Sequence, residues 1–276
     1  MGSGRPYRVG FIGVGKIGRP MAQQLLRAGH DLLVFDSNTL ALLTFDGTAA
    51  TVATSVAQVV SECDVICLCL PGPAEVEQVV LAEDGIESTI RSGTLLIDHT
   101  TNSPAIVRKI GKRLSSLGAS MVDAPISGGV EGAAEASLTT LVGGDPKDVE
   151  RAFPVLESFS TSVVHVGSLG AGTIAKLMNN LAAFSLDQII GECLTIGVKA
   201  GIEPDRLLDA LQQAAIGKAG NLHVRLPETY MKGDFKPRFT LNGAHKDITL
   251  AVGLADEVGV PVKLARTVLN EMETAV

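Results

Sequence analysis

Apolar positions follow two rhythms along this chain. Up to residue 168, short apolar runs alternate with helix-period segments. The runs "YRVGFIG", "DLLVFD", "DVICLCL", "GTLLIDHT", "ASMVDAP", "SLTTLVGG" and "SVVHVG" read as strands. Between them, "KIGRPMAQQLLRAG" reads as a helix stopped by Gly29, and "NSPAIVRKIGKRLSSLG" as one capped by Ser103 with Pro104 in its first turn. Strand–helix–strand repetition predicts a largely parallel sheet covered on both faces. Beyond residue 168 no convincing strand recurs. Residues 170–200 read as one long helix, roughly 45 Å at 1.5 Å per residue. "EPDRLLDALQQAA", "GAHKDITLAVGLADEVG" and "PVKLARTVLNEMETA" read as three more helices. The expected fold is α/β: a doubly wound domain over residues 1–168, then an all-α domain over 169–276 built on the long helix.

Composition narrows the class. The 276 residues are 46% hydrophobic and 19% charged, which suits two well-buried domains. A net charge of −7, with no dense Lys/Arg block, argues against nucleic acid as partner. No run of 18 uncharged apolar residues exists, so no membrane span is expected, and "MGSGRPYRVG" lacks an apolar signal core. Cys63, Cys67, Cys69 and Cys193 lack metal-ligand spacing and read as free buried thiols in a reducing cytoplasm; no metal is expected.

"VGFIGVGKIGRP" places Gly13, Gly15 and Gly18 in G-x-G-x-x-G spacing between a strand and a helix. That is the fingerprint of a Rossmann domain. Gly13 serves the tight turn, Gly15 lets a pyrophosphate approach the backbone, and Gly18 lets helix and strand pack closely. Val14, Lys16 and Ile17 complete the expected phosphate loop. Asp36 ends the next strand, where a carboxylate accepts both ribose hydroxyls of NAD and repels the 2′-phosphate of NADP. Ser37 and Asn38 follow, with no cation to clamp that phosphate, so NAD is expected and NADP is disfavoured. Leu70 and Pro71 offer an apolar wall at another strand end. Thr100 and Thr101 stand where they either face the nicotinamide or cap a helix.

"DAPISGG" also follows a strand. Ser127 offers a hydroxyl, and Gly128 and Gly129 offer unobstructed amides. The trio either holds a carboxylate or merely starts a short helix. In "GAGTIAKLMNN", Lys176 and Asn180 share a helix face. A lysine amid apolar residues either snorkels outward or is buried for acid/base work. Asn180 could donate to a substrate oxygen from the same side. Lys218, Arg225 and Lys232, in the stretch 216–239 expected to shape the pocket, read as solvated surface charges.

"GFIGVGKIGRPMA", "DAPISGGVEGA", "GAGTIAKLMNN" and "HKDITLA" occur in one order across nearly the whole chain. In this the chain resembles the β-hydroxyacid dehydrogenases, the family of 3-hydroxyisobutyrate, tartronate semialdehyde and 6-phosphogluconate dehydrogenases. The resemblance implies hydride transfer between a nicotinamide and the hydroxyl-bearing carbon of a small 3-hydroxy acid or its semialdehyde. It implies Lys176 as catalytic acid/base, Asn180 as substrate-orienting, and Ser127, Gly128 and Gly129 on the substrate carboxylate. It places Thr101 by the nicotinamide ribose and Lys246 on the cofactor. Two departures stand out: Ala136 replaces the family's glycine in "ASL", and the tail beyond the last helix is short. An imine reductase or a non-catalytic nucleotide-binding module of the same fold is the rival reading, and Lys176 disfavours both. A long helix apolar on several faces also suggests a homodimer or homotetramer.

Overall fold

In a computed structural model of the chain, residues 7–219, 223, 226–236 and 240–275 are described. Arg225 and the start "MGSGRP" lie outside them. The chain forms two compact units, Met1–Asn180 and Leu181–Val276. The division falls inside the long helix, Ala171–Lys199.

The first unit holds a nine-stranded sheet: β1 (Arg8–Ile12), β2 (Asp31–Phe35), β3 (Thr51–Val52), β4 (Val65–Leu68), β5 (Leu95–Asp98), β6 (Ser120–Asp123), β7 (Ile126–Ser127), β8 (Leu138–Gly143) and β9 (Ser160–Gly167). Its order is β3-β2-β1-β4-β5-β6-β8-β7, with β9 also on β8. From β3 to β6 every pairing is parallel, whereas β8 runs antiparallel to β6 and β7. The chain leaves β1 toward β2 and β3, then crosses back to β4. This topological switch point opens a crevice at the carboxyl ends of β1 and β4. The strands β3 and β7 have two residues each, too few to show a period in sequence.

Alternate residues of each central strand enter opposite cores. Val9, Phe11, Val65, Cys67, Leu95 and Ile97 pack into one, and Ile12, Ile66, Leu68 and Leu96 into the other. Burial on both faces explains why these strands read as continuous apolar runs. Helix Gly18–Arg27 ends as expected, with Gly29 at φ +87°. Helix Pro104–Ser116 begins after Ser103, but that hydroxyl makes no capping bond, contrary to expectation. Cys63 and Cys67 are buried, whereas Cys193 is exposed on the long helix, against the expectation of four buried thiols.

The second unit has a small core of Ile196, Val252, Ala255, Val260 and Val262. It contains helices Pro204–Gln213, Leu241–Glu257 and Lys263–Glu273. Buried Glu192 accepts from the backbone N–H of Leu264 (3.0 Å) and Ala265 (3.1 Å), satisfying the start of the last helix. By length and composition the long helix is apolar enough to cross a membrane, with mean hydropathy 1.4 over its best window. Lys176, Asp187 and Glu192 interrupt this hydrophobic helix without making it polar, so no uncharged run of that length marks it in the sequence.

Two neighbouring buried groups at the end of β5 shift in opposite directions. Burial raises Asp98 to about 6, although Asn102 and Thr100 hydrogen-bond its carboxylate. Burial lowers His99 to about 4. The neutral ring carries its proton on Nδ1, because the Ala124 carbonyl 2.9 Å away can only accept. Between about pH 3.8 and 6 the folded chain holds the Asp98 proton more tightly than the unfolded chain, so this term lowers stability as pH rises. Between about pH 4 and 6.5 the unfolded chain holds the His99 proton more tightly, so stability rises with pH. The two terms oppose each other. Asp98→Asn should therefore unmask His99: urea titrations at pH 6.5 and 4.5 should show the variant losing about 2 kcal/mol more than the parent on acidification. Equal losses in the two proteins would show that the opposition does not operate.

Candidate functional site

The first crevice has a volume of about 830 Å³ and is walled by Gly13, Gly15, Lys16, Ile17, Gly18, Asp36, Leu70 and Pro71, among other residues. These are the nucleotide-site residues expected from sequence, brought to one place by the carboxyl ends of β1, β2 and β4. Gly13 has φ +93° and donates its N–H to the Phe35 carbonyl at 2.9 Å. A Cβ on Gly13 would lie 2.3 Å from the Cys69 carbonyl oxygen, and one on Gly18 would lie 1.9 Å from that of Gly13. A Cβ on Gly15 would meet no protein atom within 4 Å. Gly13 and Gly18 are thus bare so that the protein can close on itself. Gly15 is bare toward the cleft, where a pyrophosphate could reach the backbone. This cradle fits a dinucleotide.

Asp36 is built into the same loop. Its Oδ2 accepts from the Val14 N–H at 2.9 Å and its Oδ1 from the Asn38 N–H at 2.8 Å. Each oxygen retains acceptor capacity for a ribose hydroxyl. Three carboxylates, Asp36, Glu75 and Asp84, and one cation, Lys16, line the cleft. Cys69 lines it too, but burial pushes its thiol up to about 12, which leaves it a poor nucleophile.

The adjoining strand ends are held by buried carboxylates that sequence reasoning did not single out. Asp98 accepts from the Thr100 N–H (3.0 Å) and Asn102 Nδ2 (2.8 Å), and Thr100 Oγ1 accepts from the Leu70 N–H (3.1 Å). Thr100 is therefore buried in the frame between the β4 and β5 loops, while Thr101 is exposed beside it. Asp123, fully buried, ties the end of β6 to the start of the long helix. In sequence both look like ordinary polar residues closing a strand.

Ser127 ends β7, Gly128 follows at φ +131°, and Gly129 at φ +69° opens the short helix Gly129–Ala134. Ser127 is half-buried and the two glycines are exposed. Ala136 sits at φ +54°, in the left-handed region that a glycine adopts freely. The backbone thus keeps a glycine's geometry with an alanine in it, at a cost of roughly 1–2 kcal/mol.

Lys176 is 9% exposed on the long helix, and among the described residues no carboxylate lies within ion-pair distance of it. Burial lowers its pKa from the ordinary 10.5. Asn180 is half-buried one turn on and accepts from Asn179 Nδ2 at 3.3 Å. Ser127, Gly128, Gly129, Thr101, Lys176 and Asn180 do not line the 830 Å³ cleft. Lys246 belongs to the second unit, where it is exposed and pairs with Asp247 at 2.9 Å. Lys232, also in that unit, pairs with Glu228.

Residues 8–167 match the family described as the NAD binding domain of 6-phosphogluconate dehydrogenase. Residues 170–276 match the one described as NAD-binding of NADP-dependent 3-hydroxyisobutyrate dehydrogenase. The chain is 34% identical over 267 residues to 3-hydroxyisobutyrate dehydrogenase of Pseudomonas aeruginosa, covering 95% of this chain and 90% of that one. A solved 3-hydroxyisobutyrate dehydrogenase of Mycobacterium tuberculosis with L-serine is similar at TM-score 0.72 and 31% identity, over 98% of this chain and 94% of that one. An imine reductase from a Pseudomonas species reaches TM-score 0.85 over the same shares, at 16% identity, which is a likeness of fold alone.

The three glycines of the loop should separate on mutation. Gly15→Ala meets no protein atom, so it should leave the melting temperature within about 2 °C of the parent while weakening NADH binding at least about 10-fold. Gly18→Ala should lower the melting temperature itself. Calorimetry with NADH fluorescence titration checks both; a Gly15→Ala variant that bound NADH normally would remove the pyrophosphate from this loop.

Proposed function

The chain belongs to the β-hydroxyacid dehydrogenase family of NAD(P)-dependent oxidoreductases, and from that premise we propose that it interconverts a small 3-hydroxy acid and its semialdehyde with NAD. Residues 1–168 serve as the dinucleotide-binding domain and 169–276 as the substrate and dimerisation domain. The observation that carries the reading is Lys176: buried, without a carboxylate partner among the described residues, and lowered in pKa by that burial. A cation kept in such a place is costly unless it is used.

A bound nicotinamide supplies hydride acceptance and donation. Lys176 takes the proton from the substrate hydroxyl oxygen in oxidation and returns it in reduction. Asn180, on the same helix face, donates to a substrate oxygen. Ser127 Oγ and the amides of Gly128 and Gly129 hold the carboxylate and so fix which carbon faces the cofactor. Gly13, Val14, Gly15, Lys16, Ile17 and Gly18 would hold the pyrophosphate, with Asp36 on the adenosine ribose. Leu70 and Pro71 would flank the cofactor, Thr101 would serve the nicotinamide ribose, and Lys246 would supply a further cation to the cofactor. The excess of carboxylates over Lys16 in the cleft supports NAD over NADP. The L-serine held by the mycobacterial relative is itself a 3-hydroxy acid, which supports that substrate class. The imine reductase likeness carries no chemistry to this chain. Free thiols suit a reducing cytoplasm.

Steady-state kinetics on a panel of 3-hydroxy acids tests this reading. NAD should give the higher kcat/KM, and an NADP preference would move the clamp elsewhere, to Arg19 for example. Lys176→Ala should lower kcat about 10²- to 10⁴-fold with NADH affinity unchanged. Ser127→Ala should cost about 10- to 150-fold in kcat/KM for carboxylate substrates, the worth of a charged hydrogen bond, and much less for plain alcohols. Near-parental turnover in Lys176→Ala would end the assignment of the proton to that residue.

The long helix also needs cover. Ile174, Met178, Leu181 and Phe184 are exposed along it, and 17% of its most apolar window is buried. Exposed apolar surface of this kind marks an association face, and a homodimer or homotetramer through the helical domain is the assembly it supports. Light scattering at micromolar concentration should show a dimer or larger; a monomer would leave the helix without its partner.

A further inference from the structure

The end of β6 and the start of the long helix meet more closely than packing alone requires. Asp123 is 0% exposed. Its Oδ1 accepts from the Gly170 N–H at 2.7 Å and its Oδ2 from the Thr173 N–H at 2.6 Å. One carboxylate thus satisfies two of the orphan donors at the helix N-terminus, with charge-assisted bonds and a favourable dipole. Two glycines make room for it. A Cβ on Gly143, the β8 residue opposite Asp123, would lie 2.4 Å from Asp123 Oδ1 and 2.7 Å from the Gly172 nitrogen. A Cβ on Gly172 would lie 2.4 Å from the Leu141 carbonyl oxygen and 2.8 Å from that of Asp123. The helix start is therefore seated on the backbones of β6 and β8 and pinned there by one side chain.

What stands on either side of that pin gives it a consequence. Four residues after Asp123 comes Ser127, which is paired through β7 to Thr139 on β8. Three residues after Thr173 comes Lys176, and both are buried on one helix face. The loop that offers carboxylate donors and the lysine that lacks a partner thus hang from the same buried carboxylate. We propose that Asp123 is a positioning residue for hydride transfer: it sets the height and rotation of Lys176 relative to the Ser127–Gly129 loop. This rests on the reading that Lys176 moves the proton. Asp123 touches neither substrate nor cofactor in this role; it acts through the first turn of the helix. A carboxylate suits the task because two N–H groups three residues apart, Gly170 and Thr173, each donate to one of its oxygens. An amide would present an acceptor to one and its own N–H₂ to the other.

The test is a double-mutant cycle read in kinetics, with the 3-hydroxy acid that the panel identifies as best and with NADH as binding probe. Asp123→Asn should remain folded, with NADH Kd and substrate KM each within about threefold of the parent, while kcat falls about 10- to 100-fold, the scale of a sub-ångström to 1 Å misplacement. The variant combining Asp123→Asn with Lys176→Ala should be no slower than Lys176→Ala alone, because there is no longer a lysine to place. If Asp123→Asn does not fold, Asp123→Ser, which keeps an acceptor oxygen at the strand end, takes its place in the cycle. Parental kcat in the aspartate variant, losses that multiply in the double variant, or failure of both substitutions to fold would each overturn the proposal and leave Asp123 a fold residue. Lys176→Ala measured alone separates the two readings: if it is inactive while Asp123→Asn is normal, only the positioning role falls.

Discussion

A parallel sheet covered on both faces leaves its interior no room for polar chemistry. Every side chain of β4 and nearly every one of β1 and β5 enters one of two apolar cores. Water and ligands reach the central strands only where those strands end. The crossing from β1 back to β4 spreads two of those ends apart, and the glycine loop occupies the gap. The remaining carboxyl ends must close without a ligand to satisfy them. They do so with Asp98 at the end of β5, which takes two hydrogen bonds from the loop that follows it, and Asp123 at the end of β6, which takes two from the start of the long helix beyond β9. The constraint that makes the sheet stable thus gathers charge at one edge and forces part of that charge to be buried.

Burial of ionisable groups here has two forms. Asp98 and Asp123, both fully buried, are met by donors that offset part of the lost water. Lys176 has no such partner among the described residues, and its burial lowers its pKa. His99 is intermediate, with Nδ1 satisfied by Ala124 and Nε2 buried without a partner between the rings of Phe11 and Phe159. The contrast separates structural from chemical burial. A carboxylate that has collected backbone donors is part of the frame. A lysine that has collected none carries an uncompensated cost of burial, which is what the proposed proton-transfer role would use.

Much of this was legible in the sequence, for reasons that differ by element. The central strands β4 and β5 announced themselves because burial on both faces removes polar residues from them, as "VICL" and "LLID" show, whereas β9, largely exposed, was legible only from its β-branched run. Gly13, Gly15 and Gly18 were legible because their spacing reflects a steric demand that no other residue meets. The strands β3 and β7 were not, since two residues carry no period. Ser103 has the right type and place for a cap yet makes no capping bond, because position in sequence does not fix where a hydroxyl turns. Cys193 lies in an apolar helix whose faces are open, so composition suggested burial that the isolated chain does not provide. Asp98 and Asp123 were illegible for a deeper reason. An aspartate closing a strand looks the same whether it faces water or carries another element, and only the partner N–H groups tell the cases apart.

The position of Ala136 bears on how tightly the loop after Ser127 is held. A residue with a Cβ at φ +54° is retained only if the surrounding chain determines the backbone there. The determinants are visible on both sides. Ser137 donates its N–H to Gly132 at 2.8 Å, and Leu138 donates its N–H to Phe159 at 3.2 Å as β8 begins. β8 in turn pairs with β7, which carries Ser127, and with β6 through Asp123 and Gly143. The loop between Ser127 and Leu138 is therefore closed at each end by the strand that also seats the long helix. Strain at Ala136 is tolerable because it is local and the frame around it is rigid. That same rigidity keeps a half-buried hydroxyl, two bare amides and a desolvated lysine on fixed supports rather than on a loop free to drift.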